Sequence, residues 1–276
     1  MFNKAENIKR YLRPEMLPTI FCTGCGVGNV LNYTLRAVDE LKLDRDRVVY
    51  VSGIGCSSRL PGYIDADGLH TTHGRALAFA TGVKAADPSL TVIVFTGDGD
   101  CAGIGGNHLI HAARRNIDLT VIEMNNYNYG MTGGQLSPTT PTGGRTTTSP
   151  EGNLELPFDL AALAVGAGAS FVARWPLGYP YEIVDTIRKG IVKKGFSFIE
   201  LLTPCTTGYT RKNGFKEARE VWDWYKKNTL FASAYRNLPE EERAREDRPL
   251  VGILHDVDKP EFTEQWRAHV ERRRRV

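Results

Sequence analysis

No apolar run in this chain of 276 residues approaches the roughly 20 needed to span a bilayer as a helix. The opening MFNKAENIKRYLRPEM is charged and has no secretory hydrophobic core, so a cytoplasmic protein is expected. Charge of one sign is scarce as well. The 35 Lys and Arg nearly balance 32 Asp and Glu, leaving +3, which calls for neither nucleic acid nor an anionic membrane. Most of the basic excess sits in the run from Arg272 to Arg275, read as a solvated terminus, with contact to an acidic partner as the alternative. Cysteines number five, an odd count in an expected reducing compartment, which argues against a disulfide framework and for metal or redox use. No internal repeat is present, which excludes solenoids and propellers.

What is present is alternation. Short β-branched runs at 47–53, 90–97, 118–125, 169–174 and 196–204 end in Gly, Asn or Pro and read as buried strands. Amphipathic stretches lie between them, such as VGNVLNYTLRAVDEL, HGRALAFATGVKAAD and YEIVDTIRKGIVKK. This order predicts an α/β fold, a doubly wound and mostly parallel sheet with helices on both faces. The sheet domain is expected over 1–210. The more charged segment 211–276 is expected to form a helical C-terminal extension packing on the body or on a partner. A Gly-, Pro- and Thr-rich stretch at 132–153 reads either as a mobile surface loop or as a loop covering an active site or a partner.

Two strand ends carry the chemistry. FTGDGD closes one strand and MNNYNYG the next, so both motifs should open onto one crevice at the C-terminal edge of the sheet. Gly97 and Gly99 allow a sharp turn close to a bulky anion, while Asp98 and the Asn126 amide offer hard oxygens of the kind Mg²⁺ prefers. The pair reads as a magnesium–diphosphate clamp.

The cysteines permit two readings. Cys22 and Cys25 form a C-x2-C in a glycine-rich loop before a helix, and Cys56 and Cys205 each follow a strand. Four converging thiolates suit a structural zinc or a 4Fe-4S cluster, and spacing alone leaves both open. Cys101 is expected to pack in the core. The pairs His70 with His73 and His108 with His111 are not expected to bind metal. Arg59, in CSSR, could grip a substrate carboxylate or lie idle at the surface.

Taken together, GDGD, GIGG, RRNIDLTVI, NN, YGMTGGQ and SPT resemble the β subunits of the 2-oxoacid:ferredoxin oxidoreductases, over residues 15 to 210. The resemblance implies thiamine diphosphate, Mg²⁺ held by Asp98, Asn126 and the backbone carbonyl of Asn128, and one 4Fe-4S cluster on Cys22, Cys25, Cys56 and Cys205. It places Ile54, Gly55, Cys56, Ser57, His73, Gly97, Gly99, Asp100, Gly130 and Met131 around the cofactor, with Arg59 and His73 toward the reaction. The implied activity is CoA-dependent oxidative decarboxylation of a 2-oxoacid, reversible, with electrons passing through the cluster to ferredoxin. 2-Oxoglutarate is favoured, with pyruvate next and a non-redox thiamine decarboxylase or synthase behind it. A zinc-stabilised nucleotide-binding module without catalysis is the binding-class rival. The glutamate and pyrimidine-binding half that thiamine chemistry needs are absent from the chain, which implies an α subunit.

Overall fold

The computed structural model describes residues 6–274, so Arg275 of the basic run lies outside it. Its strands are β1 (Val48–Ser52), β2 (Asp67–His70), β3 (Thr91–Gly97), β4 (Leu119–Asn125), β5 (Asn128–Tyr129), β6 (Gln135–Leu136), β7 (Phe171–Pro176), β8 (Phe196–Leu202), β9 (Leu230–Phe231) and β10 (Leu250–Asp256). Eight of them form one sheet in the order β2-β1-β3-β4-β8-β7-β10-β9, while β5 and β6 pair separately. All pairings in the large sheet are parallel except that of β10 with β7. The helices are α1 (Glu6–Lys9), α2 (Val27–Glu40), α3 (Ala76–Ala86), α4 (Gly106–Arg115), α5 (Leu160–Ala167), α6 (Pro180–Val192), α7 (Ala218–Asn228), α8 (Ala232–Arg236), α9 (Glu240–Arg243) and α10 (Phe262–Arg274).

Successive strand residues bury opposite faces, and this alternation builds a two-sided core. On one side Tyr50, Ile93, Phe95 and Ile122 pack with Val30 and Leu35 of α2 and Ile183 and Ile187 of α6. On the other, Val51, Val92, Val94 and Val121 pack with Leu77 of α3, Leu109 of α4 and Leu160 of α5. Each such side chain contributes about 1.5–3 kcal/mol on burial, so the inner strands are anchored from both faces. The helices of this core sit where the sequence periodicity places them.

The C-terminal segment carries the helices expected of it and something more. VGILHD forms β10, which joins the sheet through β7 with an irregularity between Ile253 and His255. Residues beyond 210 therefore share the sheet of the main body. The short run sits between charged stretches, which hides it from a reading by periodicity. No helix among the described residues is long and apolar enough to cross a membrane.

Strand order sets the site. From β1 the chain moves outward to β2 and returns on the inner side as β3. The loops after β1 and β3 therefore diverge, and a crevice opens at the C-terminal ends of the strands.

Candidate active site

The crevice at the ends of β1, β3 and β4 is a cavity of about 130 Å³ lined by Ile54, Gly55, Cys56, Ser57, His73, Gly97, Asp98, Gly99, Asp100, Asn126, Asn128, Tyr129, Gly130, Met131 and Thr132. Every residue assigned to the cofactor by motif reading lies on its wall. Tyr129 and Thr132 were not expected there. A larger cavity, about 880 Å³, lies elsewhere, between Arg174, Trp224, Tyr235 and neighbouring residues. Asn125, Tyr127 and Thr139 reach its wall, but the GDGD turn and the cysteines do not, so the smaller crevice is the better candidate.

Asp98 turns off the end of β3 and is 2% exposed. Its Oδ2 accepts hydrogen bonds from Ser137 Oγ at 2.5 Å and Thr139 Oγ1 at 2.7 Å. Burial pushes its carboxyl up to about 6, and the two hydroxyls oppose that rise. The same loop reaches the second motif, because Thr140 Oγ1 donates to the Tyr127 carbonyl at 2.7 Å. Asn126 Oδ1 accepts from the Asn128 backbone N–H at 3.3 Å, which turns the chain toward the crevice. Tyr129 spans both motifs by donating its hydroxyl to the Gly99 carbonyl at 3.3 Å. The 132–153 stretch is thus fixed, with Ser137, Thr139, Thr140, Thr146 and Asn153 all buried.

Asp100 serves the opposite wall. Its Oδ1 accepts from the backbone N–H of Gly74 at 2.7 Å and of Ile54 at 3.1 Å, and its Oδ2 from Thr96 Oγ1 at 2.8 Å. His73 Nδ1 lies 2.5 Å from the same Oδ1. A carboxylate can only accept, so the imidazole carries its proton on Nδ1 and leaves Nε2 free. One carboxylate therefore ties the loop after β1, the turn before α3 and β3 together. His73 lies in the turn before α3, not within the helix. His108, by contrast, meets Arg75 across the surface.

The four thiols approach one another from three loops. Cys22 is exposed, Cys25 and Cys56 are half-buried, and Cys205 is 7% exposed. A Cβ added at Gly130 would stand 3.5 Å from Cys205 Sγ and 3.7 Å from Cys56 Sγ, so both sulfurs lie within contact distance of this one position. Burial first, and then Cys205, Cys25 and Cys22, push the Cys56 thiol up to about 11. Cys25 is also raised, by burial first, against a hydrogen bond from the Val27 backbone at the start of α2. The thiols feel one another, yet no three His, Cys, Asp or Glu side chains among the described residues are drawn together as a closed metal site. Cys101 faces the other way, buried among the α3–α5 side of the core.

These surroundings fit the implied groups. Buried Asp98 and the Asn126 amide offer hard oxygens beside a glycine turn, which suits Mg²⁺ and a diphosphate. Two sulfurs bracket a glycine, with a buried amide beside them that has no protein partner, which suits a ligand carried on sulfur. Arg59 is exposed on the turn after Cys56 and does not line the crevice.

Comparison with known proteins places these features in a family. Residues 53–201 match the thiamine pyrophosphate enzyme, C-terminal TPP binding domain. The chain is 50% identical over 263 residues to the 2-oxoglutarate synthase subunit KorB of Methanocaldococcus jannaschii, covering 95% of this chain and 97% of that one. It is 48% identical over 192 residues to the 2-oxoacid:ferredoxin oxidoreductase subunit beta of Saccharolobus solfataricus, covering 68% of this chain and 62% of that one. Among solved structures, a 2-oxoglutarate:ferredoxin oxidoreductase from Magnetococcus marinus, with 2-oxoglutarate, coenzyme A and succinyl-CoA bound, superposes with a TM-score of 0.84. That match is 34% identical and covers 98% of this chain and 92% of the other.

Proposed function

The chain belongs to the β subunits of the 2-oxoacid:ferredoxin oxidoreductases, and on that premise we propose that its crevice is the diphosphate-binding half of an active site acting on 2-oxoglutarate. One observation carries the reading. The ends of β1, β3 and β4 meet at a single crevice, with Cys56 on its wall and Cys205 beside the lining residue Gly130. When bound, thiamine diphosphate supplies the electron sink for loss of CO₂ from the substrate. Asp98, Asn126 and the Asn128 carbonyl hold Mg²⁺, while Gly97, Gly99, Gly130 and Met131 border the diphosphate. Ile54, Gly55 and Ser57 form the facing wall.

His73 holds or moves a proton at Nε2, because Asp100 occupies Nδ1. Arg59, exposed outside the crevice in this chain, is the candidate to pair with a substrate carboxylate in the complex with an α subunit. Cys22, Cys25, Cys56 and Cys205 would hold a 4Fe-4S cluster, which would supply one-electron transfer toward ferredoxin. Coenzyme A accepts the acyl group. A solvated iron–sulfur enzyme of this kind belongs in the cytoplasm. The bracketing of Gly130 by two sulfurs favours this redox reading over a non-redox thiamine decarboxylase, which has no use for them.

The test is anaerobic purification of the native complex. It should be brown, contain iron, sulfide and thiamine diphosphate, and reduce ferredoxin with 2-oxoglutarate and coenzyme A faster than with pyruvate. A colourless, zinc-containing complex would remove the redox reading, and a preference for pyruvate would move the substrate assignment.

A further inference from the structure

Asn128 is 2% exposed, and neither its Nδ2 nor its Oδ1 has a hydrogen-bond partner in the protein. Its neighbours identify where that amide points. A side chain at Gly208 would overlap Asn128 Nδ2 and stand 3.1 Å from Cys205 Sγ. A side chain at Gly130 would stand 3.5 Å from Asn128 Oδ1, 3.5 Å from Cys205 Sγ and 3.7 Å from Cys56 Sγ. The amide nitrogen and Cys205 Sγ therefore meet at Gly208, where a glycine keeps the space open, and the amide oxygen and both sulfurs lie around Gly130.

A buried primary amide without a partner is costly, and an apolar residue of the same size would fill the space at less cost. The amide therefore calls for a partner that the protein alone does not supply. Sulfur at this place already accepts N–H groups, since the Gly208 backbone donates to Cys205 Sγ at 3.3 Å. The Thr207 hydroxyl lies 3.9 Å from the same sulfur, and Asn128 Nδ2 is the buried donor beside it that has no partner.

We infer that the Asn128 side chain donates an N–H hydrogen bond to the sulfur carried at Cys205, and so sets the reduction potential of the centre bound there. The inference rests on the cluster reading above. Its physical basis is general: a donor facing sulfur stabilises the more negative, reduced state and raises the potential. In this arrangement Asn128 serves both ends of the site, with its backbone toward the diphosphate side and its amide toward sulfur. Asn128 is thus a potential-setting residue and takes no part in the bonds that break.

The experiment is an anaerobic redox titration of the assembled enzyme, followed by electron paramagnetic resonance, for the wild type, Asn128→Leu and Asn128→Asp. Both variants should keep the wild-type iron and sulfide content and titrate at more negative potential, Asn128→Asp the further because it adds charge. A wild-type midpoint in variants with full iron content would overturn the Asn128 assignment while leaving the cluster reading intact. A wild type without iron and sulfide would overturn the cluster reading and this inference with it. If neither variant loads iron, the wild type decides: pulsed resonance on reduced enzyme labelled with heavy nitrogen in its asparagine side chains should show a weak nitrogen coupling. Absence of that coupling would reject the hydrogen bond.

Discussion

At the oxygen end of the crevice the donors are already tied down, whereas at the sulfur end they are brought near one another but left unclosed. Asp98 is gripped by two hydroxyls from a loop some forty positions on, and that loop also holds the Tyr127 carbonyl. The thiols have glycines, a few backbone N–H groups and one another. Two chemistries account for the contrast. A small hard cation and a diphosphate demand fixed oxygen geometry, and hydroxyls can impose it before either arrives. A sulfur-bound centre is itself the cross-link, because its bonds to thiolates supply the closure that side-chain hydrogen bonds do not. The two ends should therefore fail independently.

A reciprocal loss experiment tests that independence and carries the largest effects. In the assembled enzyme Asp98→Ala should weaken thiamine diphosphate retention at least about 100-fold, since removing a buried charged partner costs about 3–5 kcal/mol. Iron content should stay at the wild-type level. Cys205→Ala should do the opposite, losing iron and keeping Mg²⁺-dependent thiamine diphosphate binding. If either variant loses both groups, the two ends are one cooperative unit and the contrast is void.

A smaller effect asks whether the hydroxyls fix the oxygen end. Ser137→Ala removes one of the two donors to Asp98. A hydrogen bond to a charged acceptor is worth about 1.5–3 kcal/mol, so retention should fall about 10- to 100-fold. The loss should grow as pH is lowered toward neutrality and below, because a carboxyl already raised to about 6 by burial rises further without that donor. Retention equal to wild type by equilibrium dialysis would mean that the loop merely covers the site.

The same contrast explains what could be read in the sequence. The strands and helices that carry the crevice were legible because burial imposes a period on them. Runs such as TVIVFTG and LTVIEMN announce both their pairing and the edge where they stop. Asp98, Asn126, Cys56 and Cys205 stand out because each follows a strand end, and Cys22 and Cys25 because they form a C-x2-C beside glycines. The work of Ser137, Thr139 and Thr140 was not legible, since a hydroxyl bond to a carboxylate 39 or 41 positions away leaves no periodic trace. Asp100 shows the same limit. Its motif pointed to the diphosphate, and its carboxylate oxygens are taken up by Gly74, Ile54, Thr96 and His73. Strand β10 was hidden by its charged surroundings, and β2, with two exposed residues at its start, lacks an apolar pattern altogether.

The smallest expected effect lies behind the oxygen end, where a second carboxyl is buried without the ties that Asp98 has. Glu123, on β4, is 0% exposed and neither of its oxygens has a partner, while its cross-strand neighbour Glu200 is held by Arg174 at 2.7 Å and Asn125 at 2.8 Å. Burial pushes Glu123 well above the ordinary carboxylate range, with Glu200 and Asp98 pushing the same way. A folded-state value above the unfolded one means that the folded state keeps its proton longer. The stability this gives is present in full below the unfolded value of about 4.3 and is lost as pH rises through the folded value. Glu123→Met keeps the volume and deletes the titration, so the variant should gain stability over wild type by about 1 kcal/mol or more at alkaline pH and gain least near pH 5. Thermal unfolding of the two assembled enzymes at pH 5 and pH 8 measures the difference. An equal shift at both pH values would mean that Glu123 does not titrate on folding, and that the ground beneath the oxygen end is as well tied as Asp98 itself.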